Sequence, residues 1–142
     1  MISQACGASG CRLCKLLYNL NETICINGMN LQLDNNLNCK TKYCIYVATC
    51  KICNLSYFGQ TVTEAHIRFN GHRRDFTDIS LYDKSALSQH CSEDHPDSIS
   101  LDNFKIGIVK VCIPECLDRE EDKFITKFRT NIWGLNRMRV VK

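Results

Sequence analysis

Two pairs of residues with metal-binding side chains stand well apart in the chain. Cys50 and Cys53 are spaced C-x-x-C, and His90 and His95 are spaced H-x4-H in the stretch "QHCSEDHPD". Two thiolates and two imidazoles at such spacings are a frequent ligand set for tetrahedral zinc. We expect these residues to hold one zinc ion, with Cys91 as the competitor for one position.

A second set of cysteines lies near the N-terminus. The stretch "CGASGCRLC" spaces Cys6, Cys11 and Cys14 as C-x4-C-x2-C, so a tetrahedral site needs one further ligand. Cys39 and Cys25 are the candidates. We favour Cys39, because Cys25 falls in the middle of a predicted strand and points away from its apolar face. This cluster predicts a second structural zinc ion.

A carboxylate in the last predicted helix interrupts an apolar stripe. Glu121 comes one turn after Leu117 and one turn before Ile125, on the face that should be buried. A buried carboxylate without a partner is costly, so Glu121 should pair with a cation or hold a metal ion. Arg68 and His72, at positions i and i+4 of an earlier predicted helix, share one face and are the candidates to lie near it.

Two tyrosines lie in apolar runs on either side of the C-x-x-C. A two-residue tip at Lys51-Ile52 would place Tyr46 opposite Tyr57, on the sheet face away from the core. The two phenols would then line a cleft, although a cross-strand aromatic pair that only stabilises the sheet fits this stretch equally well. Carboxylate, guanidinium, imidazole and phenol together have the parts for metal-assisted phosphodiester hydrolysis.

The elements that must position these residues follow the order β-β-α-(α)-β-α. We expect strands at about 43–49, 55–59 and 104–111, a helix ending near Arg74, a short helix near 83–91 and a last helix beginning at Pro114. This order predicts the α/β (α+β) class, with a small three-stranded, mainly antiparallel sheet flanked by helices.

The first part of the chain carries its own turn signal. In "TICINGMNLQL", Asn27-Gly28 separates two alternating apolar runs, which is typical of a type I′ hairpin. So small a unit lacks a sufficient core by itself, and a bound metal would stabilise it. We therefore divide the chain into a Cys-rich zinc-binding hairpin module over residues 1–40 and a main domain over residues 41–142.

Cysteine usage bears on the compartment. The 142 residues include eleven cysteines, an odd number that leaves one thiol over in any fully paired disulfide framework. No apolar run is long enough to span a membrane, and the N-terminus lacks the apolar core of a signal peptide. We expect an intracellular chain with no membrane partner. A secreted disulfide protein, with glycosylation at Asn21 and Asn54, is the weaker alternative.

Charge alone decides little. The net charge of +3 is too small to imply nucleic acid, and a solvated basic face explains the clustered cations as well as a phosphate-binding surface does. The clusters are formed by Arg68, His72, Arg73 and Arg74 in the first helix, and by Arg129, Arg137, Arg139 and Lys142 near the C-terminus.

Several of these residues stand in the order of a known motif. "CIY" (44–46) and "YFG" (57–59) resemble the two halves of the GIY-YIG motif, and "YFGQT", R-x-x-x-H, Glu121 and "GLN" follow in the expected order. Residues 40–138 thus resemble a GIY-YIG endonuclease domain. The C-x-x-C between the motif halves and the later histidine pair more narrowly resemble the endonuclease domain of Penelope-like retroelements, which a Cys-rich segment commonly precedes.

The resemblance implies a DNA-nicking endonuclease that uses one Mg²⁺ or Mn²⁺ ion. Glu121 would hold that ion, and Arg68 would stabilise the scissile phosphate. Tyr46 would act as general base or water positioner. Tyr57 and His72 would assist proton transfer and phosphate placement, and Asn136 would order the site.

The resemblance also implies partners. DNA would be held by Arg73, Arg74, Arg137 and Arg139, in the nucleus or elsewhere inside the cell. A reverse transcriptase domain of the same element and its RNA would be further partners, because a nick that leaves a 3′-hydroxyl can prime reverse transcription.

The sequence also departs from the motif. Cys44 replaces the first glycine, Phe58 replaces the middle isoleucine, and "RTNIW" before "GLN" is one residue shorter than usual. The alternative function is a catalytically inactive, zinc-stabilised nucleic-acid-binding module from a decayed or repurposed element.

Overall fold

Three antiparallel strands form the centre of the fold. The computed structural model describes residues 4–6, 8–19 and 22–136. The strands are β1 (Ile24–Ile26), β2 (Met29–Leu31), β3 (Cys44–Cys50), β4 (Ser56–Thr61) and β5 (Phe104–Val111), and the α-helices are α1 (Ala65–Arg74), α2 (Ala86–Asp94) and α3 (Leu117–Phe128). The main sheet has the order β4-β3-β5, and β1 and β2 form a separate hairpin. This arrangement confirms the predicted fold class.

Short 3-10 turns precede two of the helices. One runs over Ile79–Lys84 and another over Pro114–Cys116, so Pro114 begins a turn that leads into α3. α2 starts later than the sequence pattern predicts, because the Ser85 side chain accepts the Leu87 N–H and caps the helix there. Among the described residues, none of the helices has the length and apolar character needed to cross a membrane.

The Asn27-Gly28 turn forms as the sequence predicts. Both residues have positive φ angles, 52° and 84°, which a type I′ turn requires. Cys25 on the outer side is exposed, and the inner side buries Ile24, Ile26 and Leu31. The Asn27 side chain donates to the Phe128 carbonyl over 2.7 Å, which attaches the hairpin to the end of α3.

The β3–β4 turn is longer than predicted, and the predicted pairing of Tyr46 with Tyr57 is wrong. Cys50 N–H donates to the Leu55 carbonyl over 2.9 Å, and Asn54, at φ 66°, donates to the Cys50 carbonyl over 2.8 Å. Asparagine adopts this left-handed conformation more readily than most residues, so it closes the wider loop. Tyr46 therefore pairs with Gly59.

The register shift leaves the faces unchanged, since it moves the pairing by an even number of residues. Tyr46 and Tyr57 still share one face. The prediction that this face turns away from the core is wrong. Tyr46 is fully buried, and both faces of the sheet carry an apolar cluster.

Each cluster draws residues from different helices. On one face, α3 and the β1–β2 hairpin cover Val47 and Phe58. On the other, Tyr46 packs with Phe69 of α1 and Leu87 of α2. β3 is consequently buried on both sides. Residues of the N-terminal part contribute to both clusters, notably Leu13, Leu16, Leu17 and Cys39 on one face and Tyr18, Ile24, Ile26 and Leu31 on the other.

An amide side chain covers the outer edge of each outer strand. Gln4 accepts from Ile108 N–H over 2.8 Å and donates to the Ile108 carbonyl over 2.7 Å, along β5. Asn136 accepts from Phe58 N–H and donates to the Phe58 carbonyl, both over 2.8 Å, along β4. Thr130 also donates to Asn136 Oδ1 over 2.6 Å. Both amides thus imitate a neighbouring strand and block edge pairing.

We predict that Asn136→Ala lowers the free energy of unfolding by about 2–3 kcal/mol, because it leaves the buried N–H and C=O of Phe58 without these partners. Asn131→Ala is the matched control. Asn131 is exposed in the same loop, and its replacement should change stability by less than about 0.5 kcal/mol. Urea unfolding of the two variants measures both values, and equal losses would contradict the role given to Asn136.

Candidate functional site

The predicted Cys/His set comes together at one end of the sheet. Cys50 ends β3, Cys53 lies in the wide β3–β4 turn, His90 lies on α2 and His95 follows that helix. Their ligand atoms all lie within 4.8 Å of one another. Cys53 Sγ is 3.3 Å from His90 Nε2, and the two imidazole rings are nearly perpendicular, at 85°.

This donor set fits a zinc ion. In the described part of the chain, His95 Nε2 is buried without a hydrogen-bond partner, a rare state that a metal ion would relieve. His90 Nδ1 lies 3.0 Å from an Asp94 carboxylate oxygen, an arrangement that orients Nε2 of a metal-binding histidine. Cys91, the alternative ligand that the sequence offered, is buried outside the cluster. Burial raises the pKa of its thiol.

The N-terminal cysteines form a second cluster, which includes Cys39. Cys14 Sγ is 3.6 Å from Cys6 Sγ and 3.4 Å from Cys39 Sγ, and Cys11 completes a group within 4.8 Å. Tetrahedral zinc with Zn–S bonds of ~2.3 Å would set sulfurs ~3.8 Å apart, whereas a disulfide bond is ~2.05 Å. All eleven cysteines are free thiols and all lie within the described residues.

A zinc ion at the second cluster would have to displace thiol protons. Burial raises the pKa of Cys39, so its thiol does not ionise by itself. A backbone hydrogen bond at Ala8 lowers the pKa of Cys6 to about 7. Zinc binds thiolates, and its charge would offset both the burial of Cys39 and the repulsion among four ionised sulfurs.

We predict that the purified chain binds about two zinc ions, one in each tetrahedral cluster. Cys39→Ser should lower the zinc content to about one, since it removes a ligand of the N-terminal cluster. Cys25→Ser is the control, because Cys25 is exposed and lies outside both clusters, and it should keep about two. Metal analysis of wild type and the two variants measures the zinc content. Equal zinc in both variants would exclude Cys39 as a ligand.

A buried chain of hydrogen bonds links Tyr46, His72 and Ser85. Tyr46 Oη lies 2.8 Å from His72 Nε2, and His72 Nδ1 lies 3.0 Å from Ser85 Oγ. Burial, with a smaller effect of the Arg68 charge, lowers the pKa of His72 to about 3, so the imidazole is neutral at neutral pH. Burial also raises the pKa of Tyr46 well above its ordinary value, and its phenol keeps its proton.

Charges of both signs act on the same phenol. Besides burial, the neighbouring Tyr57 and the Glu121 carboxylate raise the pKa of Tyr46, whereas Arg68, one turn before His72 on α1, lowers it. The rings of Tyr46 and Tyr57 are 6.3 Å apart between centroids. The structure therefore brings together the predicted phenols, guanidinium, imidazole and carboxylate from two strands and two helices.

Glu121 is buried, as the interrupted stripe predicts, with 3% of its surface exposed. Its Oε1 accepts a hydrogen bond from the Gln60 side chain over 2.6 Å. The same Gln60 nitrogen donates to Asp118 Oδ1 over 2.7 Å. Two carboxylates from successive turns of α3 thus meet one amide at the end of β4.

Sequence reasoning missed Gln60, Ser85 and Asp118. Two signals were present, since Gln60 follows "YFG" directly and Asp118 precedes Glu121 by one helical turn. Polar residues are common at strand ends and at exposed helical positions, so residue type alone does not mark Gln60 or Asp118 as part of the site. Ser85 has the additional ordinary role of a helix N-cap, which hides its contact with His72.

Gly59 makes the space that Tyr46 occupies. A Cβ atom at Gly59 would lie 2.5 Å from Tyr46 Oη and 2.8 Å from Tyr57 Cε2. These distances are too short for any side chain, so the close approach of the two phenols requires the glycine of "YFG".

The remaining predicted residues lie away from this centre. Asn136 contacts the β4 backbone at Phe58, beside Tyr57, and therefore supports the strand from its edge. Arg73 pairs with Asp102 over 3.2 Å, and Arg74 is exposed. Arg137 and Arg139, also expected to contact DNA, lie outside the described residues.

Comparison of the chain with protein-family models, curated proteins and solved structures returns no match. A functional assignment therefore depends on the geometry of these residues and on the sequence resemblance.

We predict that Gly59→Ala lowers the free energy of unfolding by about 1–3 kcal/mol, because the added methyl group overpacks the Tyr46 side chain. Gly71→Ala is the control. Gly71 lies inside α1, and the space that a methyl group would occupy there is open, so alanine should stabilise the protein by about 0.5–1 kcal/mol. Thermal and urea unfolding measure the sign of both stability changes. A Gly59→Ala variant as stable as wild type would contradict the close approach.

Proposed function

We propose that the protein is a divalent-metal-dependent DNA endonuclease that hydrolyses phosphodiester bonds. One observation carries the proposal. A guanidinium and a neutral imidazole from α1 and a buried carboxylate from α3 act on the phenol of Tyr46. These groups match the needs of phosphodiester hydrolysis, which requires charge neutralisation, a positioned water molecule and a route for its proton.

Glu121 would hold the catalytic Mg²⁺ or Mn²⁺ ion. Carboxylate oxygens suit these hard cations, and Asp118 lies one helical turn before Glu121, with both carboxylates meeting at Gln60 Nε2. Such an ion, when bound, stabilises the negative charge that develops on the phosphate group. Burial of Glu121 excludes competing water and strengthens its attraction for a cation.

Arg68 would bind the scissile phosphate. A guanidinium is charged at all physiological pH values and offers paired donors that match phosphate oxygens. Arg68 is half-buried and its charge acts on the Tyr46 phenol, so a phosphate bound to Arg68 would lie near Tyr46.

Tyr46 would position the attacking water as a protonated phenol or, in its phenolate form, take the proton of that water, and His72 would support it. The nearby Arg68 charge favours the phenolate form of Tyr46, whereas burial and Glu121 oppose it. His72 is neutral, so its Nε2 forms a hydrogen bond with Tyr46 Oη without adding charge to the site. Tyr57, partly exposed beside Tyr46, would help to orient the phosphate.

The DNA would approach along the basic side of α1. Arg74 is exposed, and the Arg73–Asp102 pair involves an aspartate side chain that is 69% exposed. Exposed ion pairs contribute little to stability, so Arg73 can exchange Asp102 for a DNA phosphate. Sequence resemblance extends this proposal to nuclear DNA and to a reverse transcriptase domain that would use the nick as a primer.

We predict that the zinc-loaded protein nicks supercoiled plasmid DNA only when Mg²⁺ or Mn²⁺ is present. Glu121→Gln should slow nicking by about 10³-fold or more, because loss of a metal ligand removes several kcal/mol of transition-state stabilisation. Asp122→Asn removes the neighbouring, exposed carboxylate and should leave the rate nearly unchanged.

Two controls make this assay decisive. Zinc content and urea unfolding must be the same in wild type and Glu121→Gln. If well-folded, zinc-loaded wild type binds DNA and never nicks it, the protein is instead an inactive zinc-stabilised nucleic-acid-binding module. Equal nicking by Glu121→Gln would exclude Glu121 as the metal ligand.

A further inference from the structure

His72 lies between two hydroxyl groups, and the position of its single proton decides what Tyr46 can do. Nε2 faces Tyr46 Oη at 2.8 Å, and Nδ1 faces Ser85 Oγ at 3.0 Å. His72 and Ser85 are both buried, so bulk water does not exchange freely with these contacts. A neutral imidazole has one N–H donor and one acceptor nitrogen, and the partner of each nitrogen selects the tautomer.

Ser85 has few ways to use its hydroxyl hydrogen. Its oxygen already accepts the Leu87 N–H over 3.1 Å, the contact that caps α2. Over residues 4–6, 8–19 and 22–136, the other partner of this oxygen is His72 Nδ1. If Nδ1 carried the proton, Ser85 Oγ would accept two hydrogen bonds and its own buried hydroxyl hydrogen would have no partner in this part of the chain. The arrangement that satisfies every polar group has the hydroxyl donating to Nδ1, with Nδ1 as the acceptor nitrogen of the imidazole.

We propose that Ser85 is a positioning residue that fixes the Nε2–H tautomer of His72, so that His72 donates its hydrogen bond to Tyr46. The Tyr46 hydroxyl hydrogen then cannot point to His72 and is available to the phosphate or water of the proposed reaction. Tyr46 in its resting state is a hydrogen-bond donor for a phosphate oxygen or for the attacking water. This catalytic consequence rests on the proposed nuclease function, whereas the position of the proton does not.

Nitrogen NMR of the zinc-loaded full chain measures the tautomer directly. In protein labelled with ¹⁵N-histidine, a protonated ring nitrogen and an acceptor nitrogen have well-separated shifts, and the chain has only four histidines to assign. We expect wild-type His72 to show a protonated Nε2 and an acceptor Nδ1 at neutral pH. A His72→Gln variant identifies its signals.

Four serine variants separate this role from helix capping. Ser85→Asp keeps an N-cap acceptor but has no hydrogen to donate, so we expect His72 Nδ1 to become protonated. Ser85→Thr keeps the hydroxyl and should keep the wild-type spectrum, and Ser85→Ala should lose the single-tautomer signature. Ser88→Ala is the matched control. Ser88, on the same helix, donates to the backbone carbonyls of Tyr82 and Ser85, and its hydroxyl has no bond to His72 among these contacts.

Nicking rates provide the second readout. We expect Ser85→Ala and Ser85→Asp to nick about 10- to 100-fold more slowly, with Ser85→Thr and Ser88→Ala near wild type, since general acid–base groups typically contribute about 10²–10⁴-fold. A wild-type spectrum with Nδ1 protonated, or an unchanged His72 spectrum in Ser85→Asp, would overturn the proposal. A correct spectrum in a protein that never nicks would instead overturn the nuclease function alone.

Discussion

The structure depends on the burial of one phenol in a strand that has apolar neighbours on both faces. Tyr46 is fully buried in the central strand, and the absence of a side chain at Gly59 leaves room for it. A phenolic oxygen so placed needs a hydrogen-bond partner, which His72 supplies from α1. The same low-polarity surroundings keep His72 neutral and strengthen the effects of Arg68 and Glu121 on the phenol.

One short helix joins the Cys/His cluster of Cys50, Cys53, His90 and His95 to this phenol. α2 begins at the Ser85 cap, whose hydroxyl contacts His72, and it carries the cluster residue His90 one and a half turns later. The N-terminal cluster has a comparable place, because Cys39 is buried in the same apolar cluster as Tyr46. Neither set of candidate metal ligands is peripheral to the site. In a domain of this size, bound zinc would contribute directly to the order of the groups around Tyr46.

Sequence patterns predicted the features of the structure that depend on local chemistry. The Asn27-Gly28 turn follows from the positive φ that both residues tolerate, and the burial of Glu121 follows from helical periodicity. The C-x-x-C suggested a two-residue tip, but the sequence does not encode how far the loop opens before Asn54 closes it.

Contacts that depend on tertiary packing could not be predicted from the sequence. The alternation of side chains along a strand predicted which residues share a face with Tyr46. It did not predict that helices cover both faces of β3. Gln4 and Asn136 are ordinary polar residues until the fold sets their amides against the edge strands. Likewise, nothing in the residue type of Gln60 or Ser85 indicates the partner that each one meets.

The most direct test of the site is the position of a bound Mn²⁺ ion. Crystals of the zinc-loaded protein soaked in Mn²⁺, with anomalous data collected at the manganese edge and below the zinc edge, would locate it. The convergence of groups on Tyr46 predicts one manganese peak bonded to the Glu121 carboxylate on the side of Tyr46 and Arg68. Manganese found only at exposed carboxylates such as Asp122, with none at Glu121, would contradict a metal-dependent active site here.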